Sequence, residues 1–199
     1  MAKTARRMEW TGDPEADRLV SEDSTAMLIG FCLDQQIPVE WAFMGPLRIR
    51  ERLGTIDARE IGAMDPATVE AAFRQPRAIH RYWAHMARRV HELCRVIADQ
   101  YDDDASRIWQ DVGDAKELER RFSALPGFGK QKAKMMVGVV AKHYGVKPKG
   151  WEEIAPTWPT LADVHTTEER EVYQTQKRAF KAAMRAQQPE EKKAAKRGR

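Results

Sequence analysis

Five residues, Leu125-Pro-Gly-Phe-Gly, constrain this chain more than any other stretch. Pro126 has no backbone N–H to continue a helix, so the helix before it must close there. Gly127 and Gly129 admit backbone conformations and close approaches that a Cβ would obstruct. Upstream, Asp114 reads as the cap of a helix over residues 115–124, whose buried stripe is Leu118, Phe122 and Leu125. Downstream, a second helix begins at Lys130 and carries Ala133, Met136, Val137 and Val140 on one face, with Met135 and Val139 beside it. Its first turn offers free backbone N–H groups, the positive end of the helix dipole, and the side chains of Lys130, Lys132 and Lys134. Such a terminus is an anion site, and a nucleic-acid phosphate is the obvious anion for it. The plain alternative is a helical turn with a solvated lysine face.

The rest of the chain also reads as helix. Residues 1–23 form an N-terminal arm whose Trp10 and Leu19 dock on the body. Ser24 is the expected cap of a nearly all-apolar segment, residues 26–33, which must be a buried helix. Pro38 interrupts the chain, and Val39, Trp41, Ala42, Phe43 and Leu47 supply a further apolar face. Two short helices are expected over residues 57–64 and 65–73, the second with Asp65 as cap and Pro66 at its first position. A long helix over residues 78–100 follows steps of three and four through Ile79, Tyr82, Trp83, Met86, Val90, Leu93, Cys94 and Ile97. Residues 106–110 form a brief helical segment, 145–162 a Pro- and Trp-rich insertion, and 167–186 a last helix. No segment alternates at period two, so the expected fold class is all-α, with one domain over residues 24–186 and the hairpin at 114–143.

Composition narrows the partners. Of 199 residues, 42% are hydrophobic and 32% charged, the balance of a globular chain and not of a disordered one. No apolar run approaches bilayer length, and polar residues follow Arg6 and Arg7 where a signal peptide would need an apolar stretch. The expected location is cytoplasmic, nucleoid-associated in a bacterium. The two cysteines, Cys32 and Cys94, lie in apolar helical patterns as buried thiols, and two are too few for a four-cysteine zinc or iron–sulfur site. No metal or other cofactor is expected. The formal charge of +4 is mild, and much of it sits in residues 187–199, a basic tail expected to be solvated and disordered.

The hairpin segment Leu125-Pro-Gly-Phe-Gly-Lys-Gln-Lys-Ala resembles that of the helix-hairpin-helix DNA glycosylases, the superfamily of endonuclease III and 3-methyladenine DNA glycosylase II. Upstream, Leu28-Ile-Gly-Phe-Cys-Leu-Asp-Gln-Gln-Ile-Pro-Val is similar to the family segment that ends in paired glutamines. The resemblance covers about residues 24–143. It implies a two-lobed helical fold, a monomer, and double-stranded DNA with a damaged or flipped base as partner. Gly127, Gly129, Lys130, Gln131, Lys132 and Lys134 are then the expected DNA contacts, with Gln35 and Gln36 beside the opened base step. One glutamine bonding only the backbone before Pro38 is the alternative there.

Two departures from the family pattern bear on chemistry. The resemblance implies an aspartate soon after the second hairpin helix, where its charge stabilises the sugar cation formed as the glycosidic bond breaks. Here the first Asp is Asp163, 34 residues beyond Gly129; it is either that catalytic carboxylate, displaced by the insertion, or a helix cap. The resemblance also places Gln131 where strand-cleaving members carry a Schiff-base lysine, so base removal without strand cleavage is expected. His165 is a possible partner of Asp163, and Trp41, Tyr82, Trp83, Trp109, Trp151 and Trp158 are the aromatic side chains available to line a base pocket. A monofunctional DNA glycosylase is the leading expectation; a non-catalytic DNA-binding or lesion-recognition module, or a protein-binding hairpin, are the alternatives.

Overall fold

A computed structural model describes residues 8–186. The basic tail at 187–199 lies outside the described residues, as do residues 1–7. Eleven α-helices follow one another without a strand among the described residues: α1 Pro14–Glu22, α2 Ser24–Leu33, α3 Val39–Phe43, α4 Gly45–Leu53, α5 Ala58–Ala63, α6 Pro66–Arg74, α7 Trp83–Gln100, α8 Ala115–Ser123, α9 Lys130–His143, α10 Trp151–Ile154 and α11 Thr167–Ala186. Tight 3-10 turns at Ala105–Trp109 and Leu161–Asp163 complete the order. None of the described helices is long and apolar enough to cross a membrane.

Helix starts follow local capping chemistry. The side chains of Asp13, Asp57, Asp65 and Asp114 each accept backbone N–H bonds from the first turns of α1, α5, α6 and α8. At α2 the cap is Asp23, which accepts from the Ala26 amide at 2.8 Å, and Ser24 is already the first helical residue. The long helix starts five residues later than its periodicity suggests. Arg77 takes a positive φ of 55°, and the Tyr82 amide donates to the His80 ring Nδ1 at 3.0 Å, so residues 78–82 form a bent lead-in.

The largely apolar α2 is the central element, with every residue from Thr25 to Leu33 buried. The segment expected as an arm contains α1, and its Trp10 is fully buried. The Trp10 ring meets those of Phe31 and Phe43 edge-on, with centroids 5.6 and 4.7 Å away, and its indole Nε1 donates to the Val164 carbonyl at 2.9 Å. Gly30 makes this packing possible, since a Cβ there would lie 2.4 Å from the Phe43 ring. One continuous apolar core runs from Met8 through α2, α7 and α9 to Tyr173 of α11.

Two long-range ties position the later elements. Within the insertion, the Lys149 carbonyl accepts the Ala115 amide at 2.9 Å, which fastens the chain after α9 to the start of α8. At α11, the Glu9 carboxylate accepts both the amide and the hydroxyl of Thr167, so the N-terminal segment caps the last helix. Gln174 also donates to the Glu40 carboxylate of α3. The first half of α11 is thereby tied to the N-terminal segment and to α3.

Candidate nucleic-acid interface

The bend between α8 and α9 is built by the residues that the sequence marks. Gly127 has φ +84°, a left-handed conformation, and a Cβ on it would lie 2.8 Å from the Cys32 sulfur. Close approach to the end of α2 therefore requires glycine there. Gly129 differs: its φ is −86°, and a Cβ would meet nothing within 4 Å. The protein itself places no demand on that position, and its outer side is open.

Helix α9 begins at this open edge. Its N-cap, Gly129, has no side chain to accept a bond, and the amides of Lys130, Gln131 and Lys132 have no hydrogen-bond partner among the described residues. Lys130 and Gln131 are exposed and Lys134 is half-exposed beside them. Unpaired first-turn amides, the dipole and two cationic side chains thus converge on one accessible spot. Lys132 is placed otherwise. Its Nζ donates to the Phe31 carbonyl at 2.5 Å and lies 5.5 Å from the Phe128 ring centroid, while burial lowers its pKa. It closes the C-terminal end of α2 and is held back from the surface.

The glutamine segment meets the hairpin through this same α2 end. Beyond the Lys132 bond, the Cys32 thiol points at the Pro126 carbonyl, 3.9 Å away. Both Cys32 and Cys94 are buried free thiols, and burial raises the Cys32 pKa to about 11. Gln35 is fully engaged: its amide nitrogen donates to the Cys32 carbonyl at 2.8 Å and its amide oxygen accepts from Arg89 at 2.8 Å. The Gln35 carbonyl also faces His80 Nε2 at 3.1 Å. Since His80 Nδ1 accepts from Tyr82, its proton sits on Nε2 and donates to that carbonyl. Gln36 is exposed at the tip of the turn with φ +59°, its side-chain oxygen 3.4 Å from the Tyr82 hydroxyl. Of the two glutamines, Gln36 alone presents a surface amide.

A cavity of about 670 Å³ opens beside the start of α9, within the ordinary range of ligand sites. Gln131, Lys132 and Met135 form its α9 wall, Asp34 closes the α2 end, and Trp158 lies at the insertion side. Opposite stand Tyr173, Gln176, Lys177 and Phe180 of α11. These four recur at steps of three, one and three, which puts them on one face of the helix. That spacing is legible in the sequence, but nothing in it says which element the face meets. The same holds for Asp34, adjacent to the glutamine pair. Among the expected pocket aromatics, Trp158 lines this cavity and Trp41 a smaller groove with His80; Trp109 is buried in the core, and Trp83 and Trp151 pack half-buried against it.

Asp163 lies at the other end of α9. Its carboxylate pairs with Lys142, twelve residues beyond Lys130 and so about 18 Å further along the helix axis. The second oxygen accepts the Thr160 amide at 2.9 Å, and the Thr160 hydroxyl in turn accepts from Ala162, a capping box on the 3-10 turn. Asp163 borders a separate, smaller cavity of about 350 Å³ that shares Pro159, Thr160, Tyr173 and Gln176 with the larger one. His165 does not bond it; the His165 ring lies tilted against that of His143, with centroids 4.5 Å apart.

Burial would raise the Asp163 pKa, but Lys142 and Thr160 outweigh it and the pKa is lowered. A carboxyl depressed on folding stabilises the fold above its unfolded pKa of about 3.9, and the contribution is lost as pH falls through the folded value. Lys142 and Asp163 are 36% and 37% exposed, so solvent screening keeps the pair below about 1 kcal/mol. Asp163→Asn is therefore expected to lower stability at pH 7 by less than about 1 kcal/mol and to reduce the further loss below pH 4. Urea unfolding at pH 7 and pH 3 measures both.

Comparison with protein-family models, with curated proteins and with solved structures finds no match for this chain. Its functional reading rests on the arrangement just described.

Proposed function

We propose that this protein binds double-stranded DNA through the α8–α9 bend and acts in base excision, as a monofunctional DNA glycosylase on a two-lobed helical scaffold. One observation carries the reading: the uncapped, lysine-flanked start of α9 adjoins a cavity of about 670 Å³ through Gln131 and Lys132. Phosphate contact at the helix start fixes the register of a duplex. A nucleotide rotated out of the stack then enters the cavity, where the exposed Trp158 offers a ring face. The exposed Gln36 amide lies on the neighbouring turn, suited to the polar edges of the unstacked partner.

Breaking the N-glycosidic bond leaves positive charge on the sugar, which an ionised carboxylate stabilises. Asp163 borders the smaller adjoining cavity and Asp34 the larger, so these are the two carboxylates to test. Gln131 has no amine with which to form an imine, which favours base removal without strand scission. The test incubates the full chain with duplexes holding uracil, oxidised bases, alkylated purines or mismatches, then cleaves abasic sites with alkali. Strand breaks that appear only after alkali support the reading; a blank across the panel overturns it.

A second reading, a non-catalytic lesion-recognition protein, is favoured by the engagement of both Asp163 oxygens by Lys142 and Thr160. It expects salt-sensitive duplex affinity with no base release. Base release that is lost in Asp163→Asn or Asp34→Asn, with duplex affinity intact, excludes it.

A further inference from the structure

The charge and hydrogen-bonding character of the large cavity point to a class of base. We propose that it takes a neutral damaged base with a lactam or imide edge, as in oxidised or deaminated bases, and rejects the cationic alkylated purines. The assignment rests on the base-excision reading and narrows it.

Among the described residues, three side chains that carry charge at neutral pH line the cavity: Lys132, Lys177 and Asp34. Asp34 is the single carboxylate among those described residues; at Lys132 burial lowers the pKa, with Cys32 and Asp34 opposing it. For Lys177, burial acts downward, but Tyr173, Asp34 and Glu40 outweigh it and the pKa is raised. The ammonium group of Lys177 also lies 5.1 Å from the Tyr173 ring centroid, so this aromatic face already has a cation over it. The open start of α9 adds further positive potential at the Gln131 wall. A purine bearing a delocalised positive charge would enter a space whose described charged lining is two lysines and one carboxylate, beside an open helix N-terminus. Like charges sharing one cavity repel more strongly once water is displaced.

A neutral base with carbonyl groups finds the opposite. The side chains of Gln131 on α9 and Gln176 on α11 both line the cavity, and neither makes a hydrogen bond to a described residue. Each offers one NH₂ donor and one carbonyl acceptor, the complement of an O=C–N–H edge. Lys177 adds a donor for a second carbonyl oxygen, and Trp158 is 54% exposed at the rim, available to cover a planar ring.

The test compares the full chain on otherwise identical duplexes bearing one 8-oxoguanine, one uracil or one 7-methylguanine, reading base release and equilibrium affinity separately. Release of the neutral 8-oxoguanine or uracil at least about tenfold faster than of the cationic 7-methylguanine is expected. In Lys177→Glu that ratio should fall by roughly tenfold or more, and in Gln176→Leu the release of the preferred base should drop by a similar factor with affinity for undamaged duplex unchanged. Equal or faster release of 7-methylguanine by the unaltered protein overturns the class assignment and leaves base excision standing. A preference in affinity without release from any duplex overturns excision and upholds the pocket assignment. Neither release nor preference overturns both.

Discussion

Replacing Lys130 and Lys134 together by glutamate is expected to weaken duplex affinity by roughly 10- to 100-fold and to reduce the slope of log K against log salt by about 2. Both residues sit in the first turn and a half of α9, four apart and so on one face, beside amides that no described residue occupies. A phosphate seated at that start takes backbone N–H bonds and is neutralised by these two side chains. Reversing their charge removes two counterion-releasing contacts without touching the fold, since Lys130 is exposed and Lys134 partly so. Lys132 is left out of the pair because its ammonium holds the Phe31 carbonyl, and its loss would unsettle the α2 end. Arg18→Glu, an exposed change on α1, separates a local effect from one of net charge. Affinity and salt slope that match the parent protein would remove the hairpin from the interface.

Gly127→Ala is expected to cost about 2–4 kcal/mol in stability, a fall of roughly 5–15 °C in Tm for a chain of this length. Two penalties add. The left-handed backbone at φ +84° costs an L-residue about 1–2 kcal/mol, and the new methyl would stand 2.8 Å from the buried Cys32 sulfur, which forces a further shift of about 1–2 kcal/mol. Gly129→Ala supplies the contrast. Its φ is ordinary and the space beyond it is empty, so thermal unfolding should move by no more than about 0.5 kcal/mol equivalent. Duplex affinity should fall all the same, because a methyl there stands in the path of an approaching phosphate. Intact affinity in Gly129→Ala would show that no ligand comes close at that edge; an unchanged Tm in Gly127→Ala would contradict the packing of the bend on α2.

The helices themselves were legible because their causes are local. Proline at first positions, aspartate caps and apolar steps of three and four act within a few residues, and the reading of α11 as Thr167–Ala186 coincides with the observed bounds. Where local signals compete, side-chain reach decides between them. Asp23 outranked Ser24 as a cap because its longer carboxylate reaches the Ala26 amide, and the lead-in at 78–82 stayed non-helical because His80 captured the Tyr82 amide.

The motifs named the hairpin and the glutamine pair, and their periodicity placed Lys130, Lys134 and Gln131 at an accessible helix start. Tertiary packing alone decided the rest. It drew Lys132 inward to a carbonyl of another helix, locked Gln35 between Cys32 and Arg89 while leaving Gln36 outside, and set Asp163 against Lys142 at the far end of α9. It also brought one face of α11 opposite Gln131 and Asp34 to enclose a cavity that no single segment announces. The reason is physical: a helix's own sequence fixes which side chains share a face, whereas what that face meets depends on residues more than a hundred positions away competing for the same buried surface.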